Sequence, residues 1–166
     1  MKVRVKMLRG LNERMRKDLV RRHEFAYERV GFVSAKLGNT SGDEPLVLFT
    51  DYYPVGDDQY VDDPHCGARI NSDAIRGAMQ HVLDCGDGLF HVHSHGGRGK
   101  AAFSSMDLEE TPRIVSSLQV TSPSQAHGML LLSNDHCIAH VWLPGNTEPT
   151  VADRVSIVGY PCELFD

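Results

Sequence analysis

The sequence predicts an α/β fold in which helices flank a mixed β-sheet. Short apolar runs typical of strands occur along the whole chain, and between them apolar residues recur every three to four positions, as in helices. These segments do not alternate regularly as strand, helix and strand, which argues against a doubly wound parallel sheet. A chain of 166 residues fits one hydrophobic core, so we expect one domain over residues 1–166.

The composition excludes several classes of protein. With 41% hydrophobic and 23% charged residues, the chain is typical of a folded globular domain rather than a disordered one. Its formal charge of -5 argues against nucleic acid as a partner. Because no run approaches a membrane span or a signal peptide, we expect no membrane partner and a cytoplasmic location. The cysteines form no CxxC pair and are expected to be reduced thiols: Cys66, Cys85, Cys137 and Cys162.

The first third of the chain predicts three strands and one helix. Apolar and basic residues alternate over residues 3–7, which predicts a strand. Apolar residues four apart over 11–19 predict an amphipathic helix. Strands are predicted over 30–36 and 45–50, and the turn-rich segment 38–42 joins them as a hairpin.

The remainder predicts two further helices. Residues 53–69 have no clear period and predict a surface loop, and a helix follows over 72–85, capped by Ser72 or Asp73 and ended by Gly86. Another helix is predicted to begin near Ser105 and to break or restart at Thr111-Pro112. The remaining predicted strands are 89–95, 128–133, 137–143 and 154–159.

The most informative stretch is a run of alternating histidines, His91, His93 and His95. Residues two apart on a strand project from the same face, so two of these imidazoles can reach one metal ion. Asp107 follows at a helix start, and the glycine-rich loop before it can fold its carboxylate back onto the strand end. Two histidines and a carboxylate, with a position left for water, form a standard catalytic zinc shell. Taken separately, exposed histidines and a Ser104-x-x-Asp107 capping box have simpler structural explanations.

In combination, these residues resemble the JAB1/MPN/Mov34 (JAMM) family of zinc metalloproteases. The family motif is an early glutamate, then His-x-His, and then Ser-x-x-Asp after a short loop. Here His93-Ser94-His95 and Ser104-Ser105-Met106-Asp107 are similar to the last two parts, and Glu28-Arg29-Val30-Gly31 is similar to the first. The resemblance covers roughly residues 1 to 145. It implies a cytidine-deaminase-like JAB/MPN domain.

The resemblance also implies a role for each matching residue. His93, His95 and Asp107 would bind Zn²⁺, Glu28 would be the catalytic acid and base, and Ser104 would donate a hydrogen bond to the developing oxyanion. Glu24 is the competitor for the role of base, but only Glu28 lies three residues before Gly31. His91 is the rival metal ligand, although its position suits packing or support of the ligands better.

Two features depart from the family pattern. Eight residues rather than seven separate His95 from Ser104, and Gly96 stands where a proline usually follows the second histidine. Neither departure removes a ligand, but the longer loop must still deliver Asp107 to the metal.

The activity that the resemblance implies is cleavage after the C-terminal glycine of a ubiquitin-like protein. The short chain is similar to bacterial members that deconjugate or mature such proteins, sometimes in antiphage systems. The expected partners are therefore a ubiquitin-like protein, its conjugates and conjugating enzymes from the same operon. The alternatives are a catalytically silent scaffold of this fold, and a related zinc hydrolase that acts on a sulfur-carrier protein or a small molecule.

Overall fold

A computed structural model describes residues 2–38 and 44–166 and confirms the predicted α/β class with a mixed sheet. Nine strands within these residues form one sheet in the order β7-β6-β5-β4-β2-β3-β1-β8-β9. The strands are β1 Arg4–Leu8, β2 Val30–Gly38, β3 Leu46–Pro54, β4 Gly88–Ser94, β5 His127–Leu132, β6 Cys137–Trp142, β7 Thr150–Val151, β8 Arg154–Val158 and β9 Glu163–Phe165. The helices are α1 Arg9–Leu19, α2 Ser72–Cys85 and α3 Ser105–Thr121.

Both parallel and antiparallel pairs occur in this sheet. β1 runs parallel to β3 and β8, and β4 runs parallel to β5, whereas the other neighbours are antiparallel. β6 and β8 touch although they lie near opposite ends of the strand order, so the sheet is curled. Most of the predicted strands are confirmed, and the short strands β7 and β9 were not predicted. The predicted turn at 38–42 lies largely outside the described residues.

The two faces of the sheet bury different hydrophobic clusters. The larger one includes Leu11, Met15 and Leu19 of α1, and thus confirms the apolar helical face that their spacing predicts. The smaller one packs α2 and α3 against β2 and β4, for example through Val82 and Leu118. The candidate site lies at the end of β4, beside the start of α3.

Two predictions about helices were wrong in detail. The cap of α2 is Asn71, not Ser72 or Asp73, because its side-chain oxygen accepts hydrogen bonds from the backbone N–H groups of Asp73 and Ala74. Gly86 ends this helix as predicted, with a φ of 66°. α3 runs without interruption through Pro112, where a break was predicted. A proline removes one helical hydrogen bond, and packing of Val115 and Leu118 beyond it offsets that loss.

No helix in the described ranges combines the length and apolar character needed to span a membrane.

Candidate metal centre

The end of β4 places the histidines of the site. His93 pairs in register with Val30 of β2 and Leu131 of β5, so the sheet holds its backbone on both sides. Its side chain is 2% exposed. His95 lies just beyond the strand, where its backbone N–H donates to Leu132 O at 3.0 Å. The two rings are 5.0 Å apart, which brings both imidazoles to one cavity.

The start of α3 holds Asp107. Ser104 is the N-cap, as the capping alternative predicted, and its hydroxyl accepts a hydrogen bond from Asp107 N. Asp107 Oδ2 in turn accepts hydrogen bonds from the backbone N–H and the hydroxyl of Ser104, both at 2.8 Å. This reciprocal capping box leaves Oδ1 free to face the histidines. The Ser104 hydroxyl proton, which the resemblance assigns to an oxyanion, points to Asp107 here.

The eight-residue loop between His95 and Ser104 is anchored at its midpoint. Asn134 N donates to Gly97 O at 3.0 Å, and Ser133 Oγ donates to Gly99 O at 2.7 Å. Gly97 and Gly99 have φ values of 98° and 82°, which other residues rarely adopt. The turn between β5 and β6 thus supports the loop, and the extra residue does not prevent Asp107 from reaching His93.

Glu28 is positioned by the segment before β2. Its neighbour Arg29 is 2% exposed, and the Arg29 guanidinium donates to the backbone oxygens of Arg21 and Arg22 and to Asp57. These contacts fix the backbone of the segment although it has no regular structure. Glu28 N donates to Gly67 O at 3.1 Å, which brings the loop before α2 against the site.

The four predicted side chains converge. His93 Nε2 lies 3.3 Å from Asp107 Oδ1, and His95 Nε2 lies 3.8 Å from Asp107 Oδ2 and 3.7 Å from Glu28 Oε1. Ligand atoms of Glu28, His93 and His95 all lie within 4.8 Å of one another, which makes them a possible metal-binding triad. Glu28, predicted as a base, is therefore also at ligand distance.

The shortest of these spacings fits two ligands of one metal ion. Ligand atoms at about 2.0–2.1 Å from a tetrahedral zinc ion lie about 3.3–3.4 Å apart, which matches the distance between His93 and Asp107. Both ring nitrogens of His93 are buried, and neither makes a well-formed hydrogen bond in the described part of the chain, although Nε2 lies 3.3 Å from Asp107 Oδ1. Because an unpaired buried polar atom is costly, a metal ligand role explains this histidine better than a packing role.

The electrostatic surroundings separate Asp107 from His91. Burial raises the pKa of Asp107, but His93 and the two hydrogen bonds from Ser104 together lower it by more. The net pKa therefore lies well below the usual range. Asp107 is therefore ionised, as a ligand must be. Burial lowers the pKa of His91 to about 3, which keeps this imidazole neutral. The His91 ring packs against Phe32 at 5.8 Å and His93 at 5.4 Å.

The other sequence candidates lie apart from this cluster. Glu24 is exposed and does not line the site cavity. His127 is fully buried and accepts a hydrogen bond from Leu89 N, so it is a core residue. Sequence reasoning missed the loop at 65–68, because an irregular segment has no periodic signal that would link it to β4.

That loop completes a cavity of about 370 Å³ above the histidines. The cavity continues into a second one of about 580 Å³ beside the first turns of α3. A Cβ atom on Gly67 would meet the Glu28 carboxylate at 2.8 Å. Only glycine fits there without moving the carboxylate. Cys66, the preceding residue, lines both cavities.

Comparisons with known proteins place this chain in no family. No protein-family model and no curated protein matches the sequence. Among solved structures, the N-terminal domain of STIL from Trichoplax adhaerens is similar with a TM-score of 0.39 and 8% identity, over 82% of this chain and 40% of that chain. The chain thus spans less than half the length of that structure.

Proposed function

We propose that this protein is a zinc-dependent isopeptidase or peptidase of the JAMM type, built on a JAB/MPN domain. The observation that carries the proposal is the convergence of His93, His95, Asp107 and Glu28 from three separate parts of the chain into one cavity. Their order along the sequence agrees with the arrangement that the family resemblance implies, and so do the histidines at the end of β4 and Asp107 at the start of α3. Glu28, which the resemblance puts on an early strand, lies just before β2 instead.

His93, His95 and Asp107 would hold the zinc ion, and bound zinc would supply an acidified water and polarise a carbonyl group. Glu28 is at the right distance from His95 to lie beside that water. Its carboxylate has no hydrogen bond from a described residue and lies 3.7 Å from His95 Nε2, so it could take a proton from water and pass it to the leaving amine.

The substrate that we propose is a bacterial ubiquitin-like protein, cut after its C-terminal glycine. An open cavity that continues along α3 suits an extended peptide rather than a compact ligand. The enzyme would remove this modifier from its targets or mature its precursor, in a conjugation system of the kind found in antiphage defence.

The test combines metal content with cleavage of a ubiquitin-like fusion protein. The purified protein should hold about one zinc ion per chain and should release the fusion partner after the terminal glycine. His93→Ala should lose both properties, whereas His136→Ala, a histidine outside the cluster, should keep both. Zinc binding without cleavage of any such fusion would favour the sulfur-carrier or small-molecule hydrolase, and absence of zinc binding would favour the silent scaffold.

A further inference from the structure

A histidine and a cysteine lie side by side on α2, outside the metal centre. His81 and Cys85 are four residues apart on the helix, so their side chains share one face. Cys85 Sγ lies 3.7 Å from His81 Nδ1. Cys85 is exposed and His81 is partly exposed, so a solvent ion can reach the pair. Thiolate sulfur and imidazole nitrogen are both zinc ligands.

The two atoms are hydrogen-bonded to each other without an ion, and their spacing also fits a bound cation. A tetrahedral zinc ion at about 2.3 Å from sulfur and about 2.05 Å from nitrogen holds these atoms about 3.6 Å apart. The observed 3.7 Å differs from this value by less than the width of normal side-chain motion. An ion could therefore bind between the two atoms with little change of either side chain.

The His81 ring is held in place before any ion binds. It packs against the ring of Tyr53 with centroids 4.2 Å apart. Its Nε2 atom is buried and has no hydrogen-bond partner among the described residues, so Nδ1 is the nitrogen that faces the thiol. A ring that is already oriented loses little conformational entropy on binding a ligand.

The local electrostatic field favours a cation. Cys85 is the last residue of α2, where the unpaired carbonyl groups give the helix end a partial negative charge. No basic residue lies in the last turn of this helix, and Asp84 adds a carboxylate there. These two features point to a metal ion more than to an anionic ligand.

We propose that His81 and Cys85 form a second metal site, for a soft or borderline divalent cation such as Zn²⁺ or Cd²⁺. On binding, the Cys85 thiol proton leaves to solvent, and the ion forms one bond to Cys85 Sγ and one to His81 Nδ1, with water in the remaining positions. The rings of Tyr53 and Phe32 lie between this pair and His91, which lines the cavity of the metal centre. The two sites are therefore separate.

The experiment titrates the full chain with Cd²⁺ and follows the ultraviolet absorption from sulfur-to-cadmium charge transfer. The wild type and Cys162→Ser, which removes another exposed thiol, should develop the same band. Cys66→Ser should also keep it, although Cys66 lines the cavity of the metal centre. Cys85→Ser should lose the band, and His81→Gln should weaken the affinity about 100-fold or more, because one arm of the chelate is lost.

Three results would overturn the second site: no band in the wild type, a band that persists in Cys85→Ser, or an unchanged affinity in His81→Gln. Circular dichroism of each variant without metal checks that the fold is intact. His93→Ala should keep the band, since this variant removes a ligand of the other centre only. The second site can thus fail while the proposed hydrolase function stands, and the reverse is equally possible.

Discussion

Two carboxylates, those of Asp107 and Glu28, approach the same pair of histidines, and the chain holds them in different ways. Asp107 is the third residue of α3, and Ser104 fixes one of its oxygens with two hydrogen bonds of 2.8 Å. Glu28 lies in an irregular segment. Its carboxylate receives no hydrogen bond from residues 2–38 or 44–166, and it lies so close to Gly67 that a Cβ atom there would meet it at 2.8 Å.

This difference indicates different tasks. A metal ligand benefits from a fixed orientation and a stable negative charge, and the low pKa of Asp107 shows that its surroundings favour the charged form. A group that accepts and releases a proton must instead move between partners and must not be fixed in one charge state. The Glu28 carboxylate, which accepts no hydrogen bond from a described residue, can move between partners in this way. Unequal surroundings of two carboxylates thus support a ligand and a base rather than two ligands.

The substitution Asp107→Asn tests whether Asp107 is a metal ligand, and it should have the largest effect. The amide keeps the size of the side chain and can still accept a hydrogen bond from Ser104, but it lacks the charge that a zinc ligand supplies. Zinc affinity should fall by more than about 100-fold, because loss of a residue that only hydrogen-bonds to a ligand already costs up to about that much. Cleavage should fall with the affinity. Equilibrium dialysis with a chromogenic chelator measures the affinity. An affinity equal to that of the wild type would remove Asp107 from the ligand set.

The matched substitution Glu28→Gln tests whether Glu28 is the base. Cleavage should fall by about 10²–10⁴-fold, because proton transfer is lost, while zinc content stays near one ion per chain. Since Glu28 is also within ligand distance of both histidines, the metal content decides between its two possible roles. A loss of zinc comparable to that of Asp107→Asn would show that Glu28 is a ligand, and the two carboxylates would then have the same task.

Removal of the Ser104 hydroxyl tests how Asp107 is held. In Ser104→Ala the carboxylate loses one of its two donors from this residue, and α3 loses its side-chain cap. Zinc affinity should decrease by about 10–100-fold, and the free energy of unfolding should decrease by about 0.5–2 kcal/mol. Denaturant titration of the zinc-free protein measures the second effect. Ser104→Thr, which keeps a capping hydroxyl, is the control and should restore most of both losses.

Gly67→Ala tests how Glu28 is held. The new methyl group would lie 2.8 Å from the carboxylate, and the end of a flexible side chain can move away at little cost to stability. We expect kcat to fall about tenfold, as a displaced base transfers protons poorly, while zinc content and melting temperature stay the same. Gly77→Ala on the surface of α2 is a control in which the methyl group meets nothing within 4 Å. Equal kcat values for both variants would show that the loop does not position Glu28.

The sequence allowed much of this site to be predicted, and for a physical reason. His93 and His95 follow the period of a strand, and Ser104 and Asp107 follow the local geometry of a helix start, so short-range rules place each pair. The contact of Gly67 with Glu28 joins two irregular segments across the fold. No local rule encodes such a contact. The same reason explains why α3 continues through Pro112, since tertiary packing overrides the local preference there.

Of the substitutions considered, a change of His91 should have the smallest effect on zinc binding. It shares the strand face of His93, yet its ring packs against Phe32, with the ring centroids 5.8 Å apart. His91→Phe should therefore still hold about one zinc ion per chain. The phenyl ring can replace the imidazole against Phe32, so melting should change little. Zinc loss as large as in Asp107→Asn would instead show that His91 is a metal ligand. The ligand set would then already hold four residues, His91, His93, His95 and Asp107, and the zinc content of Glu28→Gln would have to be judged against that set.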